Sequence, residues 1–176
     1  IIGSGAGAGI TAELLTKAGL NVVIVEEGQL KSSTDFKQKE PEAYASLYQE
    51  NAGRKTKDKG ITILQGRSVG GTTTVNWTSS FHTPPDTLKF WQDKFGLKDY
   101  TTETLAPYFQ QAQTRLNISP WATSPNENNE LLRRGAAKLG IKAEVIPRNV
   151  KGCYNLGSCG MGCPTNAKQS MLVTTI

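Results

Sequence analysis

Apolar positions in this chain change their period several times, and each change marks an element. Ile1-Ile2 runs into a glycine-rich turn, Gly3-Ser4-Gly5-Ala6-Gly7-Ala8-Gly9. The segment after it has the apolar spacing of a helix ending near Ala18, with Gly19 suited to the position just past the end. Asn21-Val22-Val23-Ile24-Val25-Glu26 is then a continuous β-branched run, the pattern of a strand buried on both faces. Strand, glycine turn, helix and strand make a βαβ start, which predicts parallel strands and a right-handed crossover.

From Gly28 to Gly60 the chain is polar, with a short helix predicted after Pro41. An excursion this long inside an α/β domain is often functional or wraps a ligand. Ile61-Thr62-Ile63-Leu64 reads as a short strand, and a second glycine-rich segment follows at Gly66. Three amphipathic helices come next. Leu88, Trp91 and Phe95 share a face of the first, and Leu105, Tyr108, Phe109, Ala112 and Leu116 form the stripe of the second. Leu131, Leu132, Ala136 and Leu139 mark the third, closed by Gly140. Ile141 to Ile146 suggests another strand, and Lys151 to Ala167 is a Gly/Cys-rich loop. The pattern predicts an α/β fold, a Rossmann-type parallel sheet with helical insertions, spanning residues 1–176 without internal repeats.

Charge and composition narrow the function classes. The net charge of +5 raises a nucleic-acid reading, but Lys and Arg are scattered through the sequence. The one cluster, Arg54 to Lys59, is interrupted by Asp58 and reads as a solvated loop, so no nucleic-acid partner is expected. No stretch approaches the ~20 consecutive apolar residues of a membrane helix. The chain opens at Ile1 without a methionine and closes on an apolar run to Ile176, so both ends read as cuts through a longer protein.

Gly3-x-Gly5-x-x-Ala8 fits the dinucleotide pattern G-x-G-x-x-[G/A]. The first glycine allows the tight turn, the second lets a pyrophosphate reach the backbone, and the small third residue allows close packing. A helix N-terminus then offers N–H groups and a positive dipole end to the anion. Glu26 stands at the end of the next strand, 23 residues after Gly3, where a carboxylate can bind the adenosine ribose hydroxyls. Such a carboxylate argues against NADP, while NAD and FAD fit equally well up to this point. Gly66-Arg67-Ser68-Val69-Gly70-Gly71-Thr72-Thr73-Thr74-Val75-Asn76 tips the balance toward FAD. Glycines permit backbone approach to a longer dinucleotide, and Thr hydroxyls and an Asn amide can bond its phosphates and ring.

In that order, these segments resemble the glucose–methanol–choline (GMC) flavoprotein oxidoreductases, across essentially the whole chain. The carrying residues are Gly3-x-Gly5-x-x-Ala8-x-x-x-Ala12, Val25-Glu26-Glu27-Gly28 and Gly66-Arg67-x-Val69-Gly70-Gly71-Thr72-Thr73-x-Val75-Asn76. The tail Gly157 to Pro164 looks like that of bacterial and long-chain-alcohol-oxidising members. One departure is Ser80, where the family pattern has an aromatic residue or Ala four places after the Asn.

The resemblance implies FAD as cofactor, with Gly3, Ser4, Gly5 and Ala6 on the pyrophosphate, and Glu26 with Glu27 at the ribose end. Arg67, Gly70, Gly71, Thr72 and Asn76 would run along the flavin side. It implies hydride transfer from an alcohol CH–OH to flavin, with oxygen or an electron carrier taking the electrons onward, in a cytoplasmic or membrane-associated protein. The family's base is a His, paired late in the chain with His or Asn. His82, the only histidine here, matches neither position, so no catalytic residue is expected within this chain. Two rival readings remain: a simple NAD(H)-binding Rossmann dehydrogenase, and a non-catalytic truncated remnant.

Cys153, Cys159 and Cys163 fall within eleven residues. A zinc site wants four N/S ligands and a close Cys pair. Some sugar dehydrogenases that this region resembles hold a three-iron cluster, but two of their cysteines are adjacent, and Gly152 breaks that pattern. The reading taken is a tight structural loop, metal-free, with reduced thiols packing as small apolar groups.

Overall fold

The computed structural model describes all of residues 1–176. α1 (Ala6–Lys17) starts directly after Gly5, and Gly19 just beyond its end takes φ +83°. This left-handed residue closes the helix at the place the sequence predicts. α2 (Glu40–Leu47) has Pro41 in its first turn, flanked by Glu40 and Glu42, which suit the positive end of the helix. α3 (Pro85–Phe95) again begins at proline and stops at Gly96 with φ +70°. α4 (Thr102–Arg115) opens with a capping box, in which Thr101 and Thr104 satisfy each other's backbone N–H. α5 (Glu127–Lys138) is capped by Asn126, and α6 (Met171–Thr174) is a single turn.

The sheet structure is smaller than the sequence predicts. β1 (Ile118–Pro120) pairs antiparallel with β2 (Pro147–Asn149), Ile118 opposite Asn149. Single bridges extend this ribbon from Arg148 to Ser79 and from Val150 to Lys168. Parallel pairing is confined to two bridges, Ile2 with Val25 and Gln29 with Ser68. The chain is therefore α/β, and its regular sheet is a two-stranded antiparallel one.

Several expectations need correction on this account. The run 21–26 is not buried on both faces: Val23 is 74% exposed and Val25 63%, because Ile1 to Gly3 is its one neighbour. Ile141 to Ile146 forms no strand; pairing begins only at Pro147. Ile61 to Leu64 is one arm of a hairpin held by a single bridge from Thr62 to Lys55. The helix positions are right, but their apolar stripes are mostly uncovered. Leu88 is buried in α3 while Phe95 is exposed, and Leu131, Leu132 and Leu139 of the α5 segment all face solvent. No helix is long and apolar enough to cross a membrane.

The core gathers around the second glycine motif. Phe36, Ala43, Leu47, Tyr48 and Val75 form it, with Tyr44, Met161 and Leu172 packed against it. α1 meets α6 at Gly9, where a Cβ would stand 2.5 Å from Thr175 Oγ1 and 2.6 Å from the Met171 sulfur. Gly9, one residue past the glycine pattern, is thus the small residue that close packing requires; Ala8 is half-buried. α4 is tied to α1 by Arg115, whose Nε lies 2.9 Å from both carboxylate oxygens of Glu13.

Candidate functional site: a junction of two glycine motifs

Gly3 takes φ +83°, which the backbone needs to leave the Ile1-Ile2 strand and enter α1. Gly5 is the N-cap, and no side chain caps the helix or places an acid in its first turn. A Cβ at Gly3, Gly5 or Gly7 would meet no atom within 4 Å. The N-terminal turn of α1 is therefore bare backbone toward open space, with its first N–H groups and positive dipole end available to an anion.

Ser4, by contrast, is 1% exposed. Its N–H and hydroxyl both donate to Glu26 Oε2, at 2.9 and 2.6 Å, and its Oγ accepts the N–H of Gly70 at 2.9 Å. One serine thus joins the first glycine turn, the strand-end carboxylate and the second glycine motif. Both Ser4 donors are spent inside the protein. Glu26 also accepts the N–H of Gly28 through Oε1 at 2.8 Å. Burial pushes the Glu26 carboxyl up, but hydrogen bonds from Ser4 and from the N–H groups of Gly28 and Glu27 outweigh it and hold the group below its ordinary value.

The second motif approaches the first at backbone distance. Gly71 has φ +54°, and a Cβ on it would lie 2.8 Å from Gly5 Cα, so only glycine fits. Gly71–Thr74 form a 3₁₀ turn behind the left-handed Gly70. Thr72 Oγ1 accepts the Gly66 N–H at 3.0 Å, and Thr73 Oγ1 donates to Gly70 O while accepting the Met171 N–H. Asn76 Oδ1 accepts the Thr78 N–H, and its amide nitrogen donates to no protein group. Ser68 is fully buried, and its hydroxyl has no partner in the chain. Glu27 and Arg67 stand at the surface and pair with each other at 3.3 Å, Glu27 also taking a hydrogen bond from Gln49.

Two groups that sequence reasoning missed hold this junction from behind. Tyr48 is buried and donates to Gly160 O at 2.6 Å; burial pushes its hydroxyl up to about 12. Lys168 is 2% exposed, and its ammonium donates to Thr74 O, Asn76 O and Cys159 O at 2.7, 2.9 and 2.6 Å. Nothing in Asn166-Ala167-Lys168-Gln169 signals a buried cation, since isolated lysines are almost always solvated.

The cysteines are free and half-buried. With Trp77, Trp121 and Arg148 they line a cavity of about 160 Å³. Cys159 Sγ lies 3.6 Å from Arg148 Nη2, and Cys163 Sγ accepts the Lys168 N–H at 3.5 Å. Burial raises the Cys163 thiol, but hydrogen bonds from Thr165 and nearby N–H groups bring it below its ordinary value. No three His, Cys, Asp or Glu side chains are grouped so as to hold a metal ion. His82 is exposed and stacks on Phe109 at 4.5 Å, away from the glycine motifs. Another cavity, about 440 Å³, lies along residues 31–47 and is lined mostly by polar side chains such as Lys31, Lys37 and Gln38. It contains none of the glycine-motif residues, and its chemistry is that of a solvated groove.

Comparison with known proteins gives the family. The family model described as GMC oxidoreductase matches residues 44–176. A long-chain-alcohol oxidase of Arabidopsis thaliana is 32% identical over 96% of this chain and 22% of its own length. A GMC-type oxidoreductase of Mycobacterium tuberculosis is 36% identical over 96% of this chain and 27% of its own. The cholesterol oxidase of the same species is 25% identical over 98% of this chain and 35% of its own. The chain spans about a quarter to a third of the length of the long-chain-alcohol oxidases and GMC-type relatives it matches at above 30% identity.

Proposed function

The chain belongs to the GMC oxidoreductase family, whose N-terminal domain is a Rossmann-type FAD-binding domain, and from that premise we propose that residues 1–176 are the cofactor-holding part of an FAD-dependent enzyme that oxidises alcohols. The observation that carries the proposal is the Ser4 junction, where a ribose-type carboxylate and two glycine motifs meet at hydrogen-bond distance. A simple NAD dehydrogenase has no use for the second motif packed backbone-to-backbone on the first.

The residues fit the cofactor. Open Cβ directions at Gly3, Gly5 and Gly7 and an uncapped α1 suit the pyrophosphate. Glu26 Oε2 is saturated by Ser4, so Oε1 is the oxygen with acceptor capacity left for a ribose hydroxyl. Ser4 acts as the post that aims Glu26 and docks Gly70. Gly70 and Gly71 keep the backbone bare of side chains there, and the Thr72 hydroxyl proton, the free amide of Asn76 and the orphaned Ser68 hydroxyl nearby are the polar groups left for the flavin half. Arg67 and Glu27, as a surface ion pair, form the rim on that side.

Bound flavin supplies the acceptor for hydride from the alcohol carbon. This chain's residues position it and exclude water on its protein side; no side chain here stands as a base at the junction. The base and the substrate pocket belong to the remainder of the full-length protein. The names of the relatives, long-chain-alcohol oxidase and cholesterol oxidase, support an alcohol substrate and dioxygen as final acceptor. In the full-length protein flavin should copurify, and anaerobic addition of a long-chain alcohol should bleach its visible absorbance. A colourless protein that binds NAD would refute the reading.

A further inference from the structure

Lys168 is a buried cation with no carboxylate beside it, and nothing in the cofactor chemistry above accounts for it. A buried ammonium unpaired with an acid is costly, and it persists only where its donors are fully used. Here all three are used, and all on backbone carbonyls. Two of the carbonyls, Thr74 O and Asn76 O, flank Val75 in the segment that ends the second glycine motif. The third, Cys159 O, belongs to the cysteine loop. Three carbonyls facing one point would repel each other without a cation between them.

We propose that Lys168 is a positioning residue of the cofactor site: its ammonium clamps the end of the second glycine motif onto the cysteine loop, and so fixes the direction in which Thr72 and Asn76 face the flavin. This rests on the flavin reading above. Holding the Thr74 and Asn76 carbonyls sets the 74–75 and 76–77 peptide planes, the two that bracket the Val75–Asn76 peptide. Those planes determine where the Asn76 side chain leaves the backbone and how the Gly71–Thr74 turn ends. The neighbouring backbone N–H of Lys168 bonds Cys163 Sγ, which anchors the lysine's own segment to the same loop.

The clamp is sensitive to alkali. Burial lowers Lys168 to about 8, negative charge at the Cys159 and Cys163 sulfurs pulls it back up, and Arg148, the one other cation facing it, pushes it down. A neutral amine has two N–H groups for three carbonyls, so one contact is lost on deprotonation. Global stability moves in the opposite sense. The folded value is depressed below the ordinary 10.5, so between the two the unfolded chain holds more protons and this group's contribution to stability rises with pH. Loss of flavin affinity above pH 8 without loss of melting temperature therefore separates the clamp from alkaline unfolding.

The test measures FAD affinity of the full-length apoprotein by flavin fluorescence quenching, across pH values on both sides of 8. The dissociation constant is expected to rise about tenfold through that pH, the effect of one charge-assisted hydrogen bond. Cys159→Ser, which removes a thiol that pulls the lysine up, should move the step to lower pH. Lys168→Met should bind weakly with no pH step. A wild-type affinity flat across the range with intact folding overturns the clamp, as does wild-type affinity in a folded Lys168→Met. Wild-type protein that binds no FAD at any pH overturns the flavin reading itself. The wild-type titration stands even where the Met variant does not fold.

Discussion

At the scale of single residues, Gly5 and Glu26 separate binding from folding. Gly5 has extended backbone angles that any residue adopts, and a side chain there meets nothing in the protein. Gly5→Val should therefore fold with a melting temperature within about 2–4 °C of wild type, yet carry no flavin absorbance, because the side chain occupies the pyrophosphate's approach. Retention of flavin by a folded Gly5→Val protein would place the phosphates elsewhere. Glu26 gives a pH signature. Its folded value lies below the ordinary 4.5, so its contribution to stability is present above that value and is lost as pH falls through the lower folded one. Melting curves should thus show an acid-side loss beginning below pH 4.5 that Glu26→Gln removes because an amide does not titrate, while its one oxygen cannot accept all three donors and stability falls at every pH.

Among the elements, the junction is built by segments far apart in sequence. Residues 1–5 and 66–76 form its face, and α2, α6 and the cysteine loop form its back. Tyr48 links two of these parts: its ring sits in the core with Val75 and its hydroxyl reaches Gly160 O. Tyr48→Phe leaves that carbonyl unpaired in a buried place, and is expected to cost about 1–2 kcal/mol in urea unfolding with the m-value unchanged. A smaller loss at α4 would follow from cutting the half-exposed Arg115–Glu13 pair, where solvent screening weakens the charge interaction. The helix ends were legible where caps and C-terminal glycines act locally: Pro41, Gly19 and Gly140 stand where the pattern puts them.

For the whole molecule, burial sets the limit. Twenty-one of 176 residues are buried, far fewer than a self-sufficient domain of this size hides, and Leu131, Leu132, Leu139, Ile141 and Val145 lie open. Exposed apolar area on this scale marks surfaces that other protein covers. A protein consisting of residues 1–176 alone is accordingly expected to turn over no alcohol, to bind FAD weakly and to aggregate on warming. Steady flavin reduction by alcohol in that fragment would contradict the division of labour proposed here, and His82→Ala would then be the first variant to make.

The sequence by itself determined what depends on neighbours a few residues away. Helix limits, the positive-φ glycines, the turn into α1 and the spacing from Gly3 to Glu26 all follow from local sterics and hydrogen bonding, which the order of residue types encodes directly. It also carried the family, because two glycine motifs and a carboxylate in fixed order are rarely met by chance. Tertiary structure alone decided what each polar group has left to offer. Ser4 sits in the phosphate turn but is consumed by Glu26 and Gly70, while Lys168, in an unremarkable polar stretch, is the buried cation behind the site. The extent of sheet was likewise a tertiary matter. A β-branched run such as Val22 to Val25 states a preference for extended backbone, but a ladder and two buried faces require neighbouring strands and covering helices, which a single segment cannot specify.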